Sequence, residues 1–231
     1  MQRFLDILFS GVALLVLAPL LVPIMVILRF TGEGEVFYIQ QRVGKDGEMF
    51  GLLKFATMLK DSPSLGTGTI TVKDDPRVLP IGKFLRKTKI NELPQLLNII
   101  KGDMSIIGPR PQDNRCFIVF SKEAQNEITK VRPGLSGIGS IVFRDEETIL
   151  ENCTKGHEEC YDTLIAPYKG DLEIWYKEHE SVYLYLMLIF LTVWVVLFPS
   201  STLYEKIFKD LPKKPNNLFF TQDEKRDIKA A

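Results

Sequence analysis

At 231 residues the chain has room for one medium domain with a buried core plus membrane elements. Its 29 basic and 29 acidic residues cancel, which removes any general attraction to nucleic acid or anionic lipid. Three cysteines are too few for a disulfide framework, so a reducing, cytosol-facing domain is expected.

The 45% apolar content is ordinary, but it gathers in two runs, which points to membrane contact. The first, Ile7 to Leu28, has 22 residues, about 33 Å of helix against a hydrocarbon core of about 30 Å. Asp6 at its mouth and Arg29 at its end, where a small-residue cleavage site would be needed, argue for a retained segment. Pro19 and Pro23 lack an amide hydrogen and predict a kink. The kink fits a bent transmembrane helix or a re-entrant hairpin whose flanking Arg3 and Arg29 both stay cytoplasmic.

Val36–Gln41 and Met49–Phe55 read as strands joined by a turn at Gly44–Gly47, and Ser62–Thr71 as a Ser/Gly/Thr-rich loop. Asp75-Pro76-Arg77 fits an ordinary turn better than a direct substrate contact. Lys54 reads first as structural and second as a phosphate contact. Cys153, His157 and Cys160 share a helical face, yet no fourth zinc ligand accompanies them, so a reduced, non-ligating trio is expected there. Trp175 and Tyr176 are expected as interfacial anchors and His179 as a helix-end histidine. The second apolar run, Val182–Phe198, fits a short span, an interfacial helix or a helix buried against the first membrane element. A loosely ordered polar tail follows.

The informative stretch is GKFLRKTKINELPQLLNIIKGDMSIIGPRP, residues 82–111. Leu93, Leu96, Leu97 and Ile100 fall at i, i+3, i+4 and i+7, predicting a helix with that face buried. Asn91 suits its N-cap, Glu92 and Pro94 its first turn, and Gly102 its end. Lys83, Arg86, Lys87 and Lys89 crowd the start with no acid among them, and Arg110 stands between two prolines downstream. Two guanidinium forks near unpaired helix-start amides would suit phosphate oxygens; the bland alternative is a solvated basic face.

VFYIQQRVG (36–44), LKFATM (53–58), residues 75–111 and VRPGLSGIGS (131–140) together resemble the bacterial polyprenyl-phosphate phosphoglycosyl transferases, small enzymes that initiate glycan assembly. The resemblance implies a mostly helical, membrane-associated α+β fold with interfacial helices. Four segments follow: a re-entrant helix-break-helix at 1–30 broken at Pro19 and Pro23, a catalytic domain at 31–181, an apolar helix at 182–200 and a tail at 201–231. It implies transfer of a phosphosugar from a nucleotide, expectedly uridine, diphosphate sugar to polyprenyl (undecaprenyl) phosphate. The setting would be the bacterial inner membrane, with the domain facing the cytoplasm and downstream glycosyltransferases as further partners. It also implies Mg2+ held by Glu92, catalysis at positions 91 and 92, and phosphate contacts from Arg86 and Arg110.

Two departures stand out. The family pattern has Asp at position 91 where this chain has Asn, a weak nucleophile, and a basic residue at 56 where this chain has Ala. Three explanations remain open: Glu92 takes over as nucleophile or base, transfer is direct, or the chain is an impaired homologue acting as a membrane-bound nucleotide-sugar or lipid-phosphate scaffold.

Overall fold

The computed structural model describes residues 1–60, 62, 75–144, 146–151, 156–215 and 218. The loop expected at 62–71 therefore lies outside the described residues except for Ser62, as does Cys153. The chain divides into two units that interleave in sequence: Arg3–Gln41 with Phe50–Met104, and Met1–Gln2 with Arg42–Met49 and Ser105–Ala231.

The unit formed by Arg3–Gln41 and Phe50–Met104 begins with α1 (Gln2–Phe30), 29 residues or about 43 Å. Among the described residues it is the one helix long and apolar enough to cross a membrane, by length and composition. It is continuous through Pro19 and Pro23, so the expected break is not an interruption of helical structure. Each proline removes only its own amide donor, and neighbouring residues carry the helix past it. Leu21, Ile24 and Leu28 are buried with Phe55 and Leu85, and Leu14, Leu17, Ile81, Ile90 and Leu93 pack around them. Strands β1 (Phe37–Val43) and β2 (Met49–Phe55) pair as a hairpin whose turn carries Asp46 and Gly47 at positive φ, close to the predicted arrangement.

Helix α2 (Pro80–Lys87) opens on a proline and lies so close to the chain leaving β2 that a Cβ on Gly82 would come within 2.2 Å of the Thr57 carbonyl oxygen. Helix α3 (Gln95–Lys101) ends where predicted, with Gly102 left-handed at φ 109° and its amide donating to the carbonyls of Asn98 and Ile99. Its buried face differs from the predicted one. Gln95, Leu96, Asn98 and Ile99 are buried, whereas Leu97 and Ile100 are exposed. The edge of β2 explains the shift, because it presents backbone groups that need polar partners. Asn98 accepts the Leu53 amide at 2.9 Å and donates to the Gly51 carbonyl at 2.8 Å and to Asp103 at 3.1 Å.

In the other unit, β3 (Ser105–Ile107) runs parallel to β4 (Gly134–Ser136), in register Ser105 to Gly134 and Ile107 to Ser136. Between them lie α4 (Asn114–Val119) and α5 (Lys122–Thr129), capped by Asp113 and Ser121. Short helices α6 (Ile138–Val142), α7 (Glu146–Glu151) and α8 (His157–Cys160) follow, and a π-helical turn leads into α9 (Ala166–Glu178). Helix α10 (Val182–Leu197) packs Leu184, Tyr185, Leu188, Leu191 and Val195 inward, while Tyr183, Leu186, Phe190, Val193 and Leu197 stay exposed.

Helix α11 (Leu203–Ile207) and the residues after it dock on α9, contrary to the expectation of a loose tail from 201. The Trp175 indole donates to Asp210 at 2.9 Å and meets Phe208 at 5.2 Å, and the Tyr168 hydroxyl donates to the Pro212 carbonyl. Trp175 and Tyr176 are thus buried core residues, which corrects their reading as interfacial anchors. His179 does sit at the end of α9, paired with Asp210 at 3.0 Å. Cys116 is a free thiol, but buried Cys160 is disulfide-bonded, so the expectation of a reduced trio fails at Cys160.

Candidate active site

The segment entering α3 is tighter than the predicted helix start. Pro94 has no amide to bond the Ile90 carbonyl, so Ile90–Glu92 forms a 3-10 turn and α3 proper begins at Gln95. The turn is entered through Lys89 in the left-handed conformation at φ 59°, a costly one for a residue with a Cβ. Asn91 is therefore not an N-cap. It lies inside the turn, 8% exposed, and its Oδ1 has no hydrogen-bond partner among the described residues. Glu92 beside it is half-buried.

The residues flanking this pair explain its placement. Ile90 and Leu93 pack into the cluster formed by Leu21, Ile24 and Leu28 of α1, and so does Leu85, the neighbour of Arg86. Burial of these apolar side chains holds the Asn91–Glu92 turn and the last turn of α2 against the long apolar helix. Arg86 is half-buried, with Nη1 3.6 Å from the Met58 sulfur, and Lys83, Lys87 and Lys89 are exposed. Lys54 donates to Gln40 at 3.2 Å from β2.

Arg77 is committed elsewhere. Its Nε and Nη2 meet Asp75 at 2.9 and 2.6 Å, and its Nη1 donates to the Ser62 carbonyl at 2.6 Å. Both groups are buried. Ala56 is likewise buried, with its amide on the Val36 carbonyl.

Arg110 belongs to the other unit, on the Gly108–Pro111 loop after β3. The loop crosses the β4 segment backbone to backbone: a Cβ on Gly134 would lie 2.2 Å from the Gly108 nitrogen, and one on Gly137 2.2 Å from the Gly108 oxygen. Nearby, Arg42 pairs with Asp113 at 3.1 Å. Burial lowers the Arg42 pKa, Asp113 opposes this, and the like charge of Arg110 adds to the lowering.

Sequence reasoning missed Glu173, which is 2% exposed on α9. Burial raises its carboxyl from 4.5 to about 7, against the opposing pull of Lys169 and of the Arg110 backbone. The folded chain thus holds a proton that the unfolded chain releases across this interval. The stabilisation is complete below about pH 4.5 and is lost as pH rises towards 7. Thermal unfolding followed from about pH 5 to 7.5 is expected to show a falling contribution that Glu173→Gln removes, flattening the profile. In the sequence, Glu173 looked like one more charge on a helix.

A family model described as bacterial sugar transferase matches residues 1–199. The chain belongs to the bacterial sugar transferase family. The chain is 32% identical over 206 residues to the exopolysaccharide production protein ExoY of Rhizobium meliloti (strain 1021), covering 83% of each chain. It is 34% identical over 197 residues to the undecaprenyl-phosphate glucose phosphotransferase of Komagataeibacter xylinus, covering 83% of this chain and 35% of that one. It is also 31% identical over 198 residues to the UDP-N-acetylgalactosamine-undecaprenyl-phosphate N-acetylgalactosaminephosphotransferase of Aeromonas hydrophila, covering 85% of this chain and 43% of that one. Among the described residues, no group of three or more His, Cys, Asp and Glu side chains is placed to hold a metal.

Proposed function

We propose that the protein transfers a sugar phosphate from a uridine diphosphate sugar to undecaprenyl phosphate at the cytoplasmic face of the inner membrane. The observation that carries this reading is the packing of Leu85, Ile90 and Leu93 against α1, which ties the Asn91–Glu92 turn and Arg86 to the membrane-seeking helix. Such a site meets one substrate from water and the other from lipid. The acceptors named for two of the relatives, both undecaprenyl phosphate, agree with that geometry.

The two ends of α1 support a re-entrant placement. Arg3 donates to the Ile99 and Ile100 carbonyls at the end of α3, and Arg29 donates to the Gly34 carbonyl at 3.0 Å, all within one unit. A helix crossing the bilayer would carry one of these contacts to the opposite face. Exposed apolar Leu97 and Ile100, beside Arg3, extend the lipid-facing surface of α1. In the other unit, the exposed apolar side of α10 suits an interfacial helix.

In the reaction, the bond between the sugar-bearing phosphorus and the bridging oxygen breaks, uridine monophosphate departs, and a lipid phosphate oxygen takes its place on phosphorus. Glu92 is the carboxylate available to the pair, acting as nucleophile in a two-step route or as the base orienting the lipid phosphate in a direct one. Arg86, in the same unit as Glu92, would hold a diphosphate oxygen. The Asn91 amide oxygen, buried and without a partner among the described residues, and the Glu92 carboxylate fit the few protein oxygens that Mg2+ takes beside substrate phosphates. Bound Mg2+ would neutralise charge on the phosphoryl oxygens. Arg77, bonded to Asp75 and Ser62, supports the fold rather than the substrate.

The test is turnover of a panel of uridine diphosphate sugars by the full chain in lipid nanodiscs with undecaprenyl phosphate and Mg2+. Release of uridine monophosphate that depends on the lipid acceptor is expected. Binding of donor or acceptor without any turnover would instead favour the scaffold reading.

A further inference from the structure

We infer that Met58 is a positioning residue for Arg86: its thioether sulfur fixes the guanidinium at the candidate site without neutralising it. The inference rests on the proposed role of Arg86 in holding a diphosphate oxygen.

Two arginines of the same unit show the contrast. Arg77 meets the Asp75 carboxylate at 2.9 and 2.6 Å and the Ser62 carbonyl at 2.6 Å, so its charge is spent inside the fold. Arg86 is held by a softer group: its Nη1 donates to the Met58 sulfur at 3.6 Å, and among the described residues it makes no ion pair. A thioether carries no charge and accepts a hydrogen bond weakly. It selects one arrangement of the long side chain and leaves the positive charge and the other N–H donors of the fork for phosphoryl oxygens. A carboxylate in its place would compete with the phosphate.

Both ends of the contact are anchored by backbone. Met58 pairs with Val78 as an isolated antiparallel bridge, the Leu79 amide donates to the Thr57 carbonyl at 2.9 Å, and the Leu59 amide donates to the Arg77 carbonyl at 3.0 Å. Residues 77–79 lead directly into α2, whose Gly82 lets the helix lie against Thr57. Near the end of α2, Leu85 is fully buried beside Arg86, which sets the rotation of the helix about its axis. Only the side-chain torsions of Arg86 remain to be ordered, and ordering them in advance lowers the entropic cost of gripping phosphate. Exposed Lys83, Lys87 and Lys89 have no such side-chain partner among the described residues, which leaves Arg86 as the pre-ordered cation of the cluster.

The experiment compares Met58→Leu, Met58→Gln, Arg86→Ala and the Arg86→Ala/Met58→Leu double variant, as full chains in lipid nanodiscs. Steady-state kinetics with undecaprenyl phosphate and Mg2+ give donor KM and kcat, and calorimetry gives the Kd of uridine diphosphate. Leucine nearly conserves volume but offers no acceptor. Met58→Leu is therefore expected to raise donor KM and the uridine diphosphate Kd by about three- to ten-fold, with kcat within about two-fold. Glutamine restores an acceptor, so Met58→Gln stays within about two-fold of wild type in all three quantities. The double variant matches Arg86→Ala alone.

Unchanged KM and Kd in Met58→Leu, an effect that persists undiminished in the Arg86→Ala background, or equal impairment by Met58→Gln overturns the inference. A wild-type chain that binds uridine diphosphate but consumes no activated sugar removes the transfer reading, and the Kd comparison still decides the role of Met58. A wild-type chain that binds no uridine diphosphate overturns both.

Discussion

Glu92→Gln is expected to lower lipid-dependent release of uridine monophosphate by about a thousand-fold or more, within the range for losing a group that transfers a proton or forms the covalent bond. The substitution preserves size and removes only the charge. Position 91 offers no substitute, because the Asn91 amide is neutral and weakly nucleophilic. An unchanged circular dichroism spectrum and unfolding temperature would separate lost chemistry from a folding defect. Undiminished transfer would end the assignment. Asn91→Asp is the companion variant: a large gain in rate identifies the chain as an impaired homologue, whereas no gain or a loss identifies Asn91 as part of a working Glu92-dependent site.

Asn98→Leu is expected to destabilise the chain by about 3–5 kcal/mol, from about 1–3 kcal/mol for each buried polar group left without a partner. The leucine nearly conserves volume, but it strips the Leu53 amide and the Gly51 carbonyl of partners on the edge of β2 and frees Asp103 from one contact. A fall of roughly 6–20 °C in unfolding temperature follows for a chain of this size. Asn98→Asp is informative beside it. A carboxylate still accepts from Leu53 but faces the Gly51 oxygen and Asp103, so that variant should be stabler in mild acid than at neutral pH. An Asn98→Leu protein as stable as wild type would show that water or backbone adjustment satisfies the strand edge.

Much of the outline was legible in the sequence. The apolar run of α1, the hairpin with its Gly44–Gly47 turn, and the glycine stop at 102 follow from local rules, since length, alternation and left-handed glycine are properties of neighbouring residues. The motif series marked the family, and the cation-rich approach to Asn91 and Glu92 marked the candidate site. The buried face of α3 was misread because periodicity counts apolar residues without knowing what lies opposite. Here a strand edge demanded Asn98, while Leu97 and Ile100 were left exposed. Trp175 and Tyr176 were misread for the related reason that aromatic residues near an apolar run suit an interface and a core equally well.

By itself the sequence determined which segments seek lipid, where backbone donors are missing at Pro19, Pro23, Pro94, Pro109 and Pro111, and which acids and cations the site has to work with. Only the tertiary structure decided that Ile90 and Leu93 clamp the Asn91–Glu92 turn to α1, that Arg77 is spent on Asp75, and that Glu173 is buried on α9 against Gly139. The physical reason is one of range. Helix length, turns and missing amides depend on adjacent residues, whereas burial and hydrogen-bond partnership depend on residues tens of positions apart that meet only after the chain has folded.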